Sequence, residues 1–540
     1  MPVYYVLAAA MLLVVALTGT GSARLQLPQS IILVVVGAAI SFVPGLPPLT
    51  IDPDVVLLLF LPPLLYSSGV GMSWRGFRAN LRPILLLAIG CVLFTAAAVA
   101  AVGHALLALP WAIAVVLGAA VAPPDAVAPM AIMRRLTVPA RVVLILEGEG
   151  LVNDATALIL FAFAVAAVTA GGVSMGAAVG TFVAIVAGEI LWGVAVGWTV
   201  LRLRRWAKNP EVEIILALLS PYLAFWVPHA LGGSGVLAAV AAGLFVSWNG
   251  PRFIPPATRL QGFFVWGLIV HLLEALLFLL TGLQARVIVA ALGGDWERPL
   301  LAAAAVSAML VVVRFIWVFP ATYLPRWLSP GIRKRDPAPH WSYPTVIGFT
   351  GIRGVVSLAA ALSIPLTAGG AAFPDRDLIL FVTFVVILVT LVGQGLTLPW
   401  LVARVGLVAA GRAEAARDKA HELAARIAGV EAALAALDTV ATDAPAAAVA
   451  ALRQRHRARL AEYQGAADTT VPRNPVTDDA EIQTGLIGAE RERIAAVFCA
   501  GDLSDEARRR IERELDLEHA RNLHAAESAA GDALADPANE

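Results

Sequence analysis

The sequence predicts an all-α polytopic membrane protein: about 13 transmembrane helices with inverted repeats and two interrupted crossing helices, followed by a soluble helical C-terminal tail. Three observations predict this. Hydrophobic residues make up 59 % of the 540 and charged residues only 14 %, against roughly 25 % charged in soluble domains. Apolar runs of spanning length, roughly 20 residues each, recur along most of the chain. In two of those runs, helix breakers and ionisable residues coincide near mid-membrane depth.

The charge divides the chain. Residues 1–410 hold 23 Lys+Arg and 15 Asp+Glu, a balance of +8; residues 411–540 hold 16 and 24, a balance of −8. The first region reads as a transmembrane domain, the second as a cytoplasmic helical tail. No basic face of the kind nucleic acid requires is present in the sequence. Cys91 falls in an apolar run and Cys499 in the tail, so no disulfide is expected and no metal-ligand spacing exists.

The predicted spans are 3–20, 29–44, 53–69, 82–108, 111–133, 139–168, 174–203, 210–228, 233–249, 260–285, 299–325, 341–366 and 377–404. The second and third are short and Pro-rich. Loops after odd-numbered spans carry seventeen basic residues, among them Arg75, Arg78, Arg134, Arg135, Arg333 and Lys334; loops after even-numbered spans carry Arg286, Arg298 and Arg376. Basic loops stay in the cytoplasm. This parity predicts a multi-pass protein of the cell (inner) membrane, N-terminus outside and C-terminus cytoplasmic. Residues 1–23, ending Gly-Ser-Ala, also fit a cleaved signal peptide. They lack the Lys or Arg expected before the apolar run, so a retained helix is the preferred reading.

Ionisable groups inside a bilayer each cost about 2.5–3.5 kcal/mol on insertion scales and default to a functional hypothesis. The body carries Asp125, Glu147, Glu149, Asp154, Glu189 and Glu274, with Arg314 and Arg353. His271 and Glu274 share a helix face. Glu189, on a Gly-rich helix, suits packing as well as transport. Asp125, Glu149, Asp154 and Arg353 fall near the middle third of their spans, roughly 15–22 Å from an end at 1.5 Å per residue. Glu147 reads as lying nearer the cytoplasmic entrance.

Two spans are broken where charges sit. The fifth reads Gly118-Ala-Ala-Val-Ala-Pro123-Pro124-Asp125. Tandem prolines remove two backbone donors and leave carbonyls of the preceding turn free. The twelfth reads Gly348-Phe-Thr-Gly351-Ile-Arg353-Gly354, with three glycines in seven residues. Non-helical backbone at that depth is tolerated only inside protein or beside a cavity. The two spans run in opposite senses, as an inverted repeat demands, and such a pair marks the binding site of a secondary transporter.

The motifs carry a resemblance. Pro123-Pro124-Asp125-Ala-Val, Glu147-Gly-Glu149-Gly-Leu-Val-Asn153-Asp154 and Gly351-Ile-Arg353-Gly354-Val-Val-Ser357 resemble the NhaP-like sodium/proton antiporters; Ser234-Gly235-Val-Leu-Ala and Phe278-Leu-Leu-Thr-Gly282 look like that family too. The similarity covers about residues 5–405. It implies a core and a dimerisation domain, a homodimer, and a carrier rather than an enzyme. It implies Asp154 as the carboxylate that takes cation or proton, Asn153 as its polar helper and Asp125 as a second ligand. It also implies a buried ion pair of Glu149 with Arg353. Three positions depart from the pattern. Pro124 replaces a threonine, leaving only its backbone carbonyl as a ligand; Gly150 replaces a serine; Glu274-Ala275 replaces Asn-Ser.

The expected function is therefore secondary-active exchange of Na+ (or Li+ or K+) for H+, by competition for Asp154 and alternating access, with Na+ at Asp154 and Asp125. The transported ions are the cargo and no cofactor is expected. The lipid bilayer is the expected surrounding. A single Asp beside Asn153 suggests electroneutral exchange. Glu147 and Arg314 are secondary candidates. A proton-coupled carrier of another small solute is the alternative. An intramembrane aspartyl protease would want Gly-x-Gly-Asp, which neither aspartate has. In the tail, 412–437, 446–463 and 481–530 read as helical, with Arg508-Arg509-Arg510 in an acidic context and a linker at 468–479.

Overall fold

The computed structural model describes residues 2–25, 27–46, 52–170, 175–207, 209–250, 253–294, 296–368, 370–440 and 445–467, with short stretches between 486 and 522. Two compact units emerge, Met1–Val408 and Ala409–Glu540.

The first unit is helical apart from a two-residue antiparallel hairpin, Thr367–Ala368 with Ala371–Ala372. Among the described residues, eight helices are long and apolar enough to cross a bilayer: Pro53–Gly71, Leu81–Leu107, Ala140–Thr169, Val179–Ala207, Pro210–Ala230, Thr258–Ala291, Glu297–Leu328 and Arg376–Arg404. Shorter apolar helices include Gln29–Ser41, Trp111–Val121 and Val236–Asn249. Each of the thirteen apolar stretches holds helix at its expected place. Three long helices contain a π turn, at Val56–Phe60, Leu86–Cys91 and Val389–Gln394. The first immediately precedes the turn containing Pro62 and Pro63, which lack the N–H a regular helix needs.

Two stretches are interrupted, and the sequence says why. The first runs Trp111–Val121, breaks through Pro123-Pro124, and resumes as Val127–Met133. The second runs Ser342–Phe349, breaks through Gly351 and Gly354, and resumes as Val355–Leu362.

The helices pack in two groups. Leu81–Leu107, Ala140–Ala170, Glu297–Leu328, Arg376–Arg404 and the two interrupted helices pack on one another. A large buried cluster, with Val99, Leu117, Phe161, Leu310 and Phe381, fills their interior. The other group joins Pro53–Gly71, Met175–Ala207, Pro210–Ala230 and Val236–Asn249, with Gln29–Ser41 against Pro256–Leu283. Small residues permit the close crossings. A Cβ on Gly37 would collide with the Leu279 carbonyl, and one on Gly69 would stand 2.9 Å from the Val240 carbonyl oxygen.

The second unit contains most of Leu407–Val440 and all of Ala446–Ala467. Here Glu422 and Arg426 form an i,i+4 ion pair. Cys499, the 468–479 linker and Arg508–Arg510 lie outside the described residues.

Candidate functional site

The two breaks lie against each other. The Asp125 amide donates to the Ile352 carbonyl at 2.7 Å, tying one extended segment to the other. Four half-helix ends meet there, each with unsatisfied backbone groups and a partial charge.

Arg353 answers the two C-terminal ends. Its Nε donates to the Val121 carbonyl at 2.8 Å and its Nη2 to Ala122 at 3.2 Å; its Nη1 donates to the Gly351 carbonyl. Its backbone amide donates to Thr390 Oγ1 at 3.0 Å. Asp125 answers the N-terminal ends. Its Oδ1 accepts from the amide of Val127, the first residue of Val127–Met133, at 2.9 Å. Gly354, the residue before Val355–Leu362, lies so close that a Cβ there would stand 2.6 Å from the Asp125 carboxyl carbon. The cation thus sits where carbonyls converge and the anion where amides converge.

The helix Ala140–Ala170 brings the remaining residues. Asn153 is fully buried, and its Nδ2 donates to the Pro124 carbonyl at 2.5 Å. Its Oδ1 has no hydrogen-bond partner among the described residues. Asp154, the next residue, is half-buried and within electrostatic range of Asp125. One turn earlier Gly150 packs against Ala126, whose Cβ would lie 2.6 Å from any Cβ at 150. A serine could not replace Gly150 without displacing the break.

The expected ion pair of Glu149 with Arg353 does not form. Glu149 is held instead by Arg314: Nη1 to Oε1 at 2.6 Å and Nη2 to Oε2 at 2.8 Å. Both residues are 2 % exposed. Arg314 also donates from Nε to the Ile347 carbonyl at 3.0 Å. The physical reason is competition for donors. The helix ends at Val121 and the Asp125 amide turns to Ile352, which leaves the Val121 and Ala122 carbonyls free beside Arg353, and all three of its guanidinium nitrogens are engaged by carbonyls. Gly351 gives both arginines room, since a Cβ there would lie 2.7 Å from Arg314 Cδ and 2.9 Å from Arg353 Nη1.

The other acids fall outside this centre or at its edge. Glu147 pairs with Arg134 at 3.5 Å, with Arg134 75 % exposed. Glu274 is half-buried and within electrostatic range of Asp125 and Arg134. Glu189 is buried and accepts from the Ser234, Gly235 and Leu237 amides at 2.6, 2.9 and 3.0 Å and from the Ser234 hydroxyl. It caps Val236–Asn249, a structural task that explains both the glutamate and the Ser234-Gly235 motif. Thr390 and Gly354 escaped the list of site residues. Gly354 stood within the quoted motif, whereas nothing local in the sequence marks Thr390.

The centre therefore offers two carboxylates, an unpartnered amide oxygen and the Pro124 carbonyl. Among the described residues no group of three or more His, Cys, Asp or Glu forms a metal-binding cluster. All-oxygen donors with little excess charge suit a hard cation of low charge.

The family model "Sodium/hydrogen exchanger, transmembrane" matches residues 10–404. An uncharacterized Na+/H+ exchanger of Mycobacterium tuberculosis is 35 % identical over 520 residues, covering 94 % of each chain. The Na+/H+ antiporter ApNhaP of Aphanothece halophytica is 33 % identical over 428 residues, covering 77 % of this chain and 76 % of that one. The sodium proton antiporter MjNhaP1 of Methanocaldococcus jannaschii shares the fold, with a TM-score of 0.59 at 17 % identity, over 74 % of this chain and 98 % of that one. With the family model spanning most of the chain, this multi-pass membrane protein belongs to the NhaP-like sodium/hydrogen exchanger family, a family of transporters and not of enzymes.

Proposed function

We propose that this chain exchanges Na+, or Li+ or K+, for H+ one for one at a single centre built on Asp154. The observation that carries the reading is the unpartnered Asn153 Oδ1, buried beside two carboxylates at a crossing of broken helices. A buried acceptor without a donor is costly unless a cation or water fills the role.

In this reading Asp154 and Asp125 bind the cation, with the Pro124 carbonyl and Asn153 Oδ1 completing its shell. Protonation of Asp154 removes the charge the cation needs, so the two cargoes compete. Asn153 stays neutral throughout, which makes the exchange electroneutral. The bundle of interrupted helices moves against the other helix group, exposing the centre to one side at a time. Glu149, Arg314 and Arg353 keep that bundle rigid. The thirteen stretches all cross the membrane, in two inverted repeats, with the N-terminus outside and the tail in the cytoplasm of an inner-membrane homodimer. The basic loops support the orientation.

Sealed vesicles containing the purified protein test it. Sodium, lithium and potassium are added in turn while internal pH is followed, with Asp154→Asn beside wild type. The expected result is a cation-driven pH change in wild type that falls at least about 100-fold in the variant, since an amide can neither ionise nor release a proton. Absence of any pH response in correctly inserted wild type would overturn the reading and favour a carrier of another solute.

A further inference from the structure

A second charged centre lies outside the carboxylate site. Arg82 stands at the start of Leu81–Leu107, Arg141 at the start of Ala140–Ala170 and Arg326 near the end of Glu297–Leu328. All three reach Asp336, in the segment before the second interrupted helix, at 2.6, 2.7 and 2.7 Å. Three guanidiniums thus share one carboxylate. Burial pushes the Asp336 carboxyl up, but Arg141 and Arg326 outweigh burial and hold it below the usual carboxylate range. It is ionised at neutral pH, and the cluster carries two positive charges in excess.

The donors are unevenly used. Arg326 is fully engaged, donating also to the Asp336 and Thr322 carbonyls. Arg141 gives Nε to Asn80 Oδ1 at 3.1 Å and Nη2 to Asp336. Its Nη1, and the Nε and Nη1 of Arg82, have no protein acceptor among the described residues. Both side chains remain partly exposed, at 34 % and 29 %. They line a cavity of about 40 Å³, whose walls include Leu86, Ile145, Val318 and Pro339. Arg333, Lys334 and Arg335 follow on the neighbouring short helix and add to the positive field.

We propose that this cavity binds a phosphate-bearing anion, from a lipid headgroup or from solution, through Arg82 and Arg141. The excess charge supplies attraction and the forked donors match phosphate oxygens. Basic pockets between transmembrane helix ends are where anionic headgroups settle. The ligand would clip together the ends of three bundle helices, at a distance from the ion centre.

Thermal unfolding of the purified full-length protein in detergent tests this. One arm adds phosphatidylglycerol against phosphatidylcholine; another adds inorganic phosphate against chloride at matched ionic strength. The expected result is a rise of several degrees with phosphatidylglycerol, with phosphate, or with both. A rise with the lipid alone identifies a headgroup, and a rise with phosphate shows that the anion suffices. The rise is lost in Arg82→Gln with Arg141→Gln, and also in Ala321→Phe, which fills the cavity and leaves every Asp336 bond in place. It persists in Arg333→Gln with Lys334→Gln. No rise in wild type, or a rise that survives Ala321→Phe, would overturn the proposal. Unfolding reads binding without transport, so failure here leaves the exchange reading untouched.

Discussion

Two polar centres share the same helix bundle and are built on opposite rules. Around Glu149, every strong donor and acceptor is matched: two bonds from Arg314, one from Arg314 to Ile347, three from Arg353 to carbonyls. Around Asp154, two carboxylates lie near each other and an amide oxygen is left without a donor. Under the proposed function, the difference separates framework from function. A satisfied buried network fixes geometry, whereas an incomplete one has coordination to offer a passing ion. The two lie on one helix, 149 and 154 being little more than a turn apart, so the rigid centre positions the labile one.

The contrast can be broken from the rigid side first. Arg314→Ala leaves Glu149 buried without a partner, and the cost of such a break is about 3–5 kcal/mol. Its expected sign is loss of folded protein in detergent, measured by thermal unfolding. Arg314→Met with Glu149→Met removes both charges and is expected to recover most of that loss. If the single change left stability unaltered, the pair would not be framework.

A smaller effect is expected at the seam. Gly354→Ala adds one methyl against the Asp125 carboxyl group while its backbone conformation suits any residue. Apparent cation affinity is expected to fall roughly tenfold, or about 1.4 kcal/mol, with the protein still folded. Cation dependence of exchange in vesicles measures it, and an unchanged affinity would place Asp125 outside the ion's shell.

The smallest effect is expected at the edge. Glu147 is paired with a largely exposed Arg134, and such pairs contribute about 0–1 kcal/mol. Glu147→Gln is expected to change exchange rate and unfolding temperature little. A loss comparable with that of Asp154→Asn would move Glu147 into the transport centre and redraw the boundary between the two.

How much could be read beforehand differs between these regions for physical reasons. Helix positions were legible because a bilayer allows little else for long apolar runs. The breaks were legible because proline and glycine act locally: Pro123-Pro124 ends one helix whatever surrounds it, and Gly351 with Gly354 weakens the other. Asp125 and Asp154 stood out because charge at that depth is expensive, whereas Asn153 was reached only through the resemblance of its motif to the family. The partner of Glu149 was not legible, because two arginines stood at plausible depth and only packing decides which reaches it. Glu189 suited packing as well as transport in the sequence, and its three backbone donors decide for packing.

The sequence by itself therefore determined a helical membrane body, its two interrupted helices, the acids near its centre and, in the tail, the helices within Leu407–Val440 and Ala446–Ala467. Those follow from composition and from forces acting within a few residues. Only the tertiary structure decided the pairings: Arg314 with Glu149, Arg353 with the carbonyls left free at the helix break, Glu189 with a helix start, and three arginines with Asp336. Apart from Arg326 and Asp336, ten residues apart, side chains meet those partners across scores or hundreds of residues. A charge seeks whichever complementary group the packing brings within about 3 Å, and no local rule encodes that meeting.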